Sequence, residues 1–89
     1  MNLKFDKSFL KSIEKIKDAS LKQKIENVIG EVESAKDLND VKQLKKLKGY
    51  KSYYRIKMGD YRVGIELEQP GVVTFIVMAH RKEIYRRFP

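Results

Sequence analysis

Apolar and polar residues alternate most regularly between residues 53 and 68. They read as two strands joined at Gly59-Asp60, a pair that suits a two-residue hairpin. Tyr54, Ile56 and Met58 share one face of the first strand, and Tyr61, Val63, Ile65 and Leu67 share one face of the second. A two-residue loop sets Met58 against Tyr61, Lys57 against Arg62, Ile56 against Val63 and Arg55 against Gly64. Two cations then lie side by side on the polar face, which costs a sheet stability. Upstream, Leu3 and Phe5 alternate with polar residues and predict a short strand, with Asp6 placed to cap a helix. Phe9, Leu10, Ile13 and Ile16 recur at helical spacing, with Lys7, Lys11, Glu14 and Lys15 mostly on the wet side, so this helix is expected to end near Asp18. Ser20 and Gln23 have capping-box spacing, and Leu21, Ile25, Val28, Ile29 and Val32 form the stripe of a second helix.

Residues 34–50 give no clear period. Val41, Leu44 and Leu47 suit either a turn of helix or a chain entering a sheet, anchored by its leucines while the lysines stay wet. Gln69-Pro70-Gly71 marks a turn, and residues 72–79 form an almost unbroken apolar run, as in a strand buried on both faces. The helices can cover one face of the sheet, while the pattern leaves open what covers the other. From His80 onward a short helix or an irregular tail is expected. The fold class is therefore α+β: a short N-terminal strand and a two-helix hairpin packed on a small antiparallel sheet, followed by a short C-terminal helix or tail. Residues 1–89 are expected to form one domain, near the size at which an unaided core becomes sufficient.

Charge changes this picture from scaffold to surface. The chain carries a net charge of +8, unevenly spread. Residues 1–41 balance eight lysines against eight acids, whereas residues 42–62 hold eight Lys or Arg against Asp60 alone. Such segregation marks a nucleic-acid binder, or a surface covered by an acidic partner. The plainer reading is a solubilising lysine surface, although such surfaces usually intersperse both signs. Cysteine is absent and His80 is the single histidine, so no disulfide, thiolate or multi-histidine metal site is expected, and no cofactor. No apolar run approaches a membrane span, and the N-terminus lacks the apolar core of a signal peptide. A soluble cytoplasmic protein with no membrane partner is expected.

Cations and one or two proton carriers suffice for one reaction in particular. Cleaving RNA without a metal requires a 2′-hydroxyl to lose its proton, the phosphorane charge to be stabilised and the 5′-oxygen to be protonated. Arg55, Lys57, Arg62 and Arg81 offer charge, and Tyr85 offers a ring for stacking and a phenol. Gly64, opposite Arg55, would leave the sheet floor open to a ligand. Lys45, Lys46, Lys48 and Lys51 are candidate RNA-backbone contacts. His80 has a pKa range suited to a general base, but its place at the end of a buried strand favours a hydrogen-bonded structural histidine. Tyr54 and Tyr61 read as packing residues, and Tyr53 as lying at the edge of the site. A non-catalytic phosphate-binding groove would have the same composition.

In order and spacing, Lys46-Leu47-Lys48-Gly49, Tyr54-Arg55-Ile56-Lys57, Gly59-Asp60-Tyr61-Arg62-Val63 and Ala79-His80-Arg81-Lys82-Glu83-Ile84-Tyr85 resemble the RelE/ParE superfamily of toxin–antitoxin toxins. The RelE branch resembles the chain most. That resemblance implies a RelE-like fold and a ribosome-dependent endoribonuclease that cuts mRNA in the ribosomal A site and is neutralised by a cognate antitoxin. It implies that Lys57, helped by Arg55 or Tyr85, activates the 2′-hydroxyl. Arg62 would stabilise the phosphorane, Arg81 would assist the leaving oxygen and Tyr85 would stack on the nucleotide. The chain departs from some members in having Arg55 where they use lysine, which favours phosphate binding there, and in a shorter stretch between Arg81 and Tyr85. The alternatives are a ParE-like toxin that inhibits DNA gyrase by binding, and a catalytically weak member kept as an interaction or repressor module.

Overall fold

The computed structural model describes all 89 residues, Met1–Pro89. Strand β1 (Asn2–Phe5) is followed by helices α1 (Lys7–Glu14) and α2 (Ala19–Ser34), and a 3-10 turn at Leu38–Asp40 leads to β2 (Leu44–Lys46). Strands β3 (Tyr53–Met58), β4 (Tyr61–Gln69) and β5 (Val72–His80) follow, and α3 (Ile84–Arg87) closes the chain. The five strands form one sheet in the order β1-β5-β4-β3-β2. Strands β3 to β5 are antiparallel neighbours, as the sequence predicts; β2 extends the sheet antiparallel to β3, and β1 joins the outer edge of β5 in parallel. No helix is long and apolar enough to cross a membrane.

The hairpin has the register that its alternation predicts: Met58 opposite Tyr61, Lys57 opposite Arg62, Ile56 opposite Val63 and Arg55 opposite Gly64. Gly59 takes φ 61° at the turn, a conformation that side chains disfavour. One face of the sheet carries Ile56, Met58, Val63, Ile65, Val73, Phe75 and Met78, which pack with Phe9, Ile25, Val28, Val32, Leu38 and Val41 into the main core. Tyr54 and Tyr61 pack against the same core. Phe75 lies at its centre, with ring centroids 5.2 Å from Phe9 and 5.4 Å from Phe5. A register shift in β5 lets Phe75 pair with Ile65 while Val77 pairs with Gly64, leaving Ile76 as the extra residue. The bulge allows Phe75 and Met78, three residues apart, to enter the same core. Where β1 ends, α1 takes over the edge of β5: Ser8 donates its hydroxyl hydrogen bond to the Ile76 carbonyl, and the Met78 N–H donates to Ser12 Oγ at 3.2 Å.

Four details differ from the sequence reading. Asp6 occupies the cap position of α1, but its side chain accepts no capping bond; its carbonyl receives the N–H groups of Phe9 and Leu10 instead. Helix α1 stops at Glu14 rather than near Asp18. The cap of α2 is Asp18, not Ser20. Its Oδ1 accepts the N–H of Ser20 at 2.8 Å and of Leu21 at 3.4 Å. Gln23 does not reach back but bonds Asn27 one turn on. A carboxylate at this end also meets the positive pole of the helix, which favours Asp18 over a serine. The fourth difference lies on the far face of the sheet.

That face is closed by the C-terminal segment. Ile84 and Phe88 pack on Val77 and Ala79, with Leu47, Tyr53 and Ile76 around them. A Cβ on Gly64 would lie 2.6–2.8 Å from the Phe88 ring carbons, so the expected open floor at Gly64 is occupied by Phe88. Residues 34–50, ambiguous in sequence, become a 3-10 turn and an edge strand. Their apolar side chains divide between the faces, with Val41 and Leu44 toward the main core and Leu47 toward the smaller one.

Replacing Asp18 by alanine is expected to lower unfolding free energy by about 1 kcal/mol, and replacing Ser20 by less than about 0.5 kcal/mol. Urea unfolding of the two variants measures the difference, and equal losses would contradict the assignment of the cap.

Candidate functional site

The far face of the sheet is only half covered. Beyond Phe88, toward the Gly59-Asp60 turn, it opens into a cleft of about 360 Å³ lined by Gln43, Leu44, Lys45, Arg55, Lys57, Arg62 and Tyr85. The two-residue period of the strands brings most of these together. Lys45 on β2 pairs with Arg55 on β3, and Lys57 pairs with Arg62 on β4. Tyr85 arrives from α3, on the turn that carries Ile84 into the smaller core.

Each basic side chain is held differently. Arg62 Nη1 donates to the carbonyls of Gly59 at 2.8 Å and Tyr61 at 2.9 Å, which ties the guanidinium to the hairpin turn. The Arg55 guanidinium lies over the Tyr85 ring, 4.7 Å from its centroid, in a cation–π contact. Its Nε is buried without a hydrogen-bond partner. A buried unpaired donor costs about 1–3 kcal/mol, and an anionic oxygen reaching it would remove that cost. The phenol of Tyr85 is pulled below its ordinary value of 10.0, first by hydrogen bonding with Arg55, then by the Arg55 charge, and further by the charges of Lys45 and Arg62. Since the guanidinium stands over the ring face, the charge of Arg55 is the part of this effect that the stacking geometry directly supports. Tyr85 is the most exposed of the large hydrophobic residues, at 73%.

Arg81 stands apart. It follows β5 directly and does not line the cleft. Its N–H donates to the Asp60 carbonyl at 2.8 Å and its Nε lies 3.9 Å from Asp60 Oδ1, with both side chains largely exposed. His80 pairs with Tyr61, sets its ring edge-on to that tyrosine at 5.5 Å, and accepts the Lys82 N–H at Nδ1. This puts it on the helix side, lining a separate groove with Ser8, Ser12 and Tyr61, on the opposite face from Lys57 and Arg62. Of the lysines singled out by charge, Lys45 reaches the cleft. Lys46 pairs with Tyr54 and so belongs to the helix-side face; Lys48 and Lys51 lie in the connection between β2 and β3. Tyr53 stands between Tyr50 and Phe88, edge-on to both at 5.5 and 5.4 Å, rather than in the cleft.

Gln43 and Leu44 belong to the cleft but were not anticipated from the sequence. Gln43 has φ 62°, the one positive value outside glycine, at a cost of about 1–2 kcal/mol. Its carbonyl accepts the Lys57 N–H at 3.0 Å, and the preceding Lys42 N–H donates to Glu31 Oε2 at 2.7 Å. These bonds lock the cleft wall to β3 on one side and to α2 on the other. Only the pairing of β2 with β3 reveals this placement. No three His, Cys, Asp or Glu side chains gather where they would hold a metal ion.

A helix pair on one face of a small sheet, with a cationic cleft and a tyrosine on the other, defines a small basic α+β protein. The model of the family described as ParE toxin of type II toxin–antitoxin system matches residues 3–85. Toxin RelE3 of Methanocaldococcus jannaschii is 39% identical over 90 residues, covering 100% of both chains. The toxin–antitoxin complex RelB–RelE from Methanococcus jannaschii contains a chain 37% identical to this one, with a TM-score of 0.79 over 97% of this chain and 99% of that one. The intact RelBE complex of E. coli, at 23% identity, shares the fold with a TM-score of 0.69, covering 89% of this chain and 94% of that one. The chain belongs to the RelE/ParE superfamily of toxin–antitoxin toxins, on its RelE-like branch.

The Tyr85 phenol is expected to titrate below 10.0, and the Arg55→Met variant to titrate higher. The sign follows from charge: a guanidinium stabilises the phenolate, so removing it favours the protonated phenol. Ultraviolet titration with Tyr85→Phe as the subtraction control measures the shift, and added salt should narrow it because the group is exposed. An unchanged titration in Arg55→Met would show that the two groups do not interact.

Proposed function

We propose that this toxin is an mRNA endoribonuclease that works in the ribosomal A site by metal-independent attack of a 2′-hydroxyl on the adjacent phosphate. The observation that carries this reading is the convergence of Arg55, Lys57, Arg62 and Tyr85 on one cleft. An anion-binding groove needs the charge, but it needs neither the phenol nor the stacking ring.

The proposed roles follow from how each side chain is held. Lys57, two residues from Arg55 on β3 and opposite Arg62 on β4, would accept the proton of the 2′-hydroxyl in its neutral amine form. Arg62, fixed by two carbonyls, presents its remaining N–H groups to the phosphorane oxygens, where a preorganised donor is most effective. Arg55 binds phosphate, because a guanidinium keeps its proton and donates in pairs. Tyr85 stacks on the unpaired nucleotide, an interaction of about 1–3 kcal/mol per base, and its lowered phenol supports proton transfer beside Lys57. Arg81, after turning from Asp60, would stabilise the charge on the leaving 5′-oxygen, which takes up a proton from water. Lys45 extends the phosphate track along β2, and Lys48 and Lys51 continue it in the next connection. Lys46, on the helix-side face, takes no part in that track.

The partner proposed for this chain is a cognate antitoxin, as in the RelB–RelE complex of the Methanococcus jannaschii relative. With eight cations and one acid in residues 42–62, an acidic, partly disordered antitoxin segment is the complementary ligand. The reading places the protein in the cytoplasm, where its ribosomal target lies. The ParE description of the family model supports a second reading, gyrase inhibition without cleavage.

Purified protein added to programmed ribosomes is expected to cut mRNA within the A-site codon, as mapped from the mRNA ends. Loss of a proton-transfer group typically costs about 10²- to 10⁴-fold, so Lys57→Met and Tyr85→Phe should lower the single-turnover rate, with Tyr85→Phe falling less because its ring remains. Arg81→Ala should also slow cleavage. Intact mRNA together with arrested gyrase supercoiling would replace this reading with the second.

A further inference from the structure

Helix α3 is a single turn, Ile84–Arg87, far shorter than an isolated helix needs to persist in water. What holds it is packing. Ile84 and Phe88 stand four residues apart, on one side of the turn, and are 1% and 3% exposed. Tyr85 points away from that side. Apart from the Arg55 contact it has no seat of its own, so its position over the guanidinium is inherited from the residues on either side.

Phe88 sits on Gly64. This glycine lies within β4 and has no positive φ to explain it. What it supplies is space, since a methyl group there would lie 2.6–2.8 Å from Cγ, Cδ1 and Cδ2 of Phe88. Those atoms are at the base of the ring and can yield only if the ring moves. Tyr53 closes the seat edge-on at 5.4 Å. The cross-strand partner of Gly64 is Arg55, so the seat adjoins the residue over which Tyr85 is held. Phe88 itself does not line the cleft.

We infer that Phe88, seated on Gly64, is a positioning residue that holds Tyr85 over Arg55 at the cleft, an inference that rests on the function proposed above. The segment carrying Arg81 and Tyr85 is thereby tied to the hairpin at both ends. The Arg81 N–H binds the Asp60 carbonyl at one end, and Phe88 fills the space above Gly64 at the other.

The test uses the full chain with Phe88→Ala, Phe88→Leu and Gly64→Ala. In Phe88→Ala and Gly64→Ala the Tyr85 phenol is expected to titrate closer to its ordinary value, by ultraviolet difference against the same variants carrying Tyr85→Phe. Cleavage on programmed ribosomes should fall about 10- to 100-fold in both, the scale expected when a reacting group is displaced. Phe88→Leu should recover most of the activity. In a Tyr85→Ala background, Phe88→Ala should cost little more, because its effect passes through the ring already removed. A folded Phe88→Ala protein with wild-type phenol titration would overturn the inference, as would full additivity with Tyr85→Ala. If Phe88→Ala does not fold, Gly64→Ala carries the same two outcomes, with Phe88 retained. Failure of the wild-type protein to cut mRNA would sink the nuclease reading and leave the phenol titration to decide the positioning role.

Discussion

The pairing of Lys57 with Arg62 across β3 and β4 is the interaction around which the rest of the molecule is arranged, because it is unfavourable. Like charges directly opposite each other on a sheet are destabilising, and Lys45 and Arg55, paired on the same face, add to the repulsion. The cost is borne by the opposite face of the same strands. Ile56 and Val63, the neighbouring pair, are fully buried in the main core, and each buried aliphatic side chain contributes about 1.5–3 kcal/mol. Register cannot slip to relieve the charges, since a shift of one residue would carry Ile56 and Val63 into solvent. Hydrophobic burial on one side therefore fixes a repulsive cluster on the other.

An uncovered sheet face would also be a liability, and the C-terminal segment resolves it by covering part of that face. Ile84 and Phe88 close the end near Gly64, and the cations keep the other end wet. The boundary between the two regions runs beside Arg55, whose Nε is shielded from water but unpaired and whose guanidinium carries Tyr85 above it. Dry packing thus meets the charged cleft at one residue, which accounts for the pulled-down phenol of Tyr85 in an otherwise exposed position.

The hairpin register was legible in the sequence because period-2 alternation and a Gly-Asp turn allow few alternatives, and with it came Lys57 beside Arg62 and Arg55 beside Gly64. The apolar stripe of α2 was legible from its helical spacing, a period that a strand cannot share. Asp18 was missed as the helix cap because the capping-box spacing of Ser20 and Gln23 competed with it, and only backbone geometry distinguishes them. The strand at Leu44 was hidden because three residues are too few to show a period. With it went the approach of Lys45 and Gln43 to the cleft, which depends on pairing between segments far apart in sequence. Gly64 was misjudged because a glycine that admits a ligand and one that admits a phenylalanine from the same chain look alike until Phe88 is placed.

Arg81 and Tyr85 come from one short segment, yet they are restrained to different degrees, and the difference bears on the order of events at the cleft. The Arg81 side chain is held by an exposed ion pair with Asp60 at 3.9 Å, a type of contact that contributes about 0–1 kcal/mol. Hydrogen bonds to charged groups contribute about 1.5–3 kcal/mol, so a phosphate arriving beside Lys57 and Arg62 competes well with Asp60 for the Arg81 guanidinium. The backbone bond from the Arg81 N–H to the Asp60 carbonyl does not depend on that ion pair and can stay in place while the side chain turns. Burial of Ile84 and Phe88 fixes the backbone that carries Tyr85, and the Arg55 contact orients its ring. On the proposed function the tyrosine and Arg62 are thus set before RNA binds, and Arg81 is recruited by the phosphate itself.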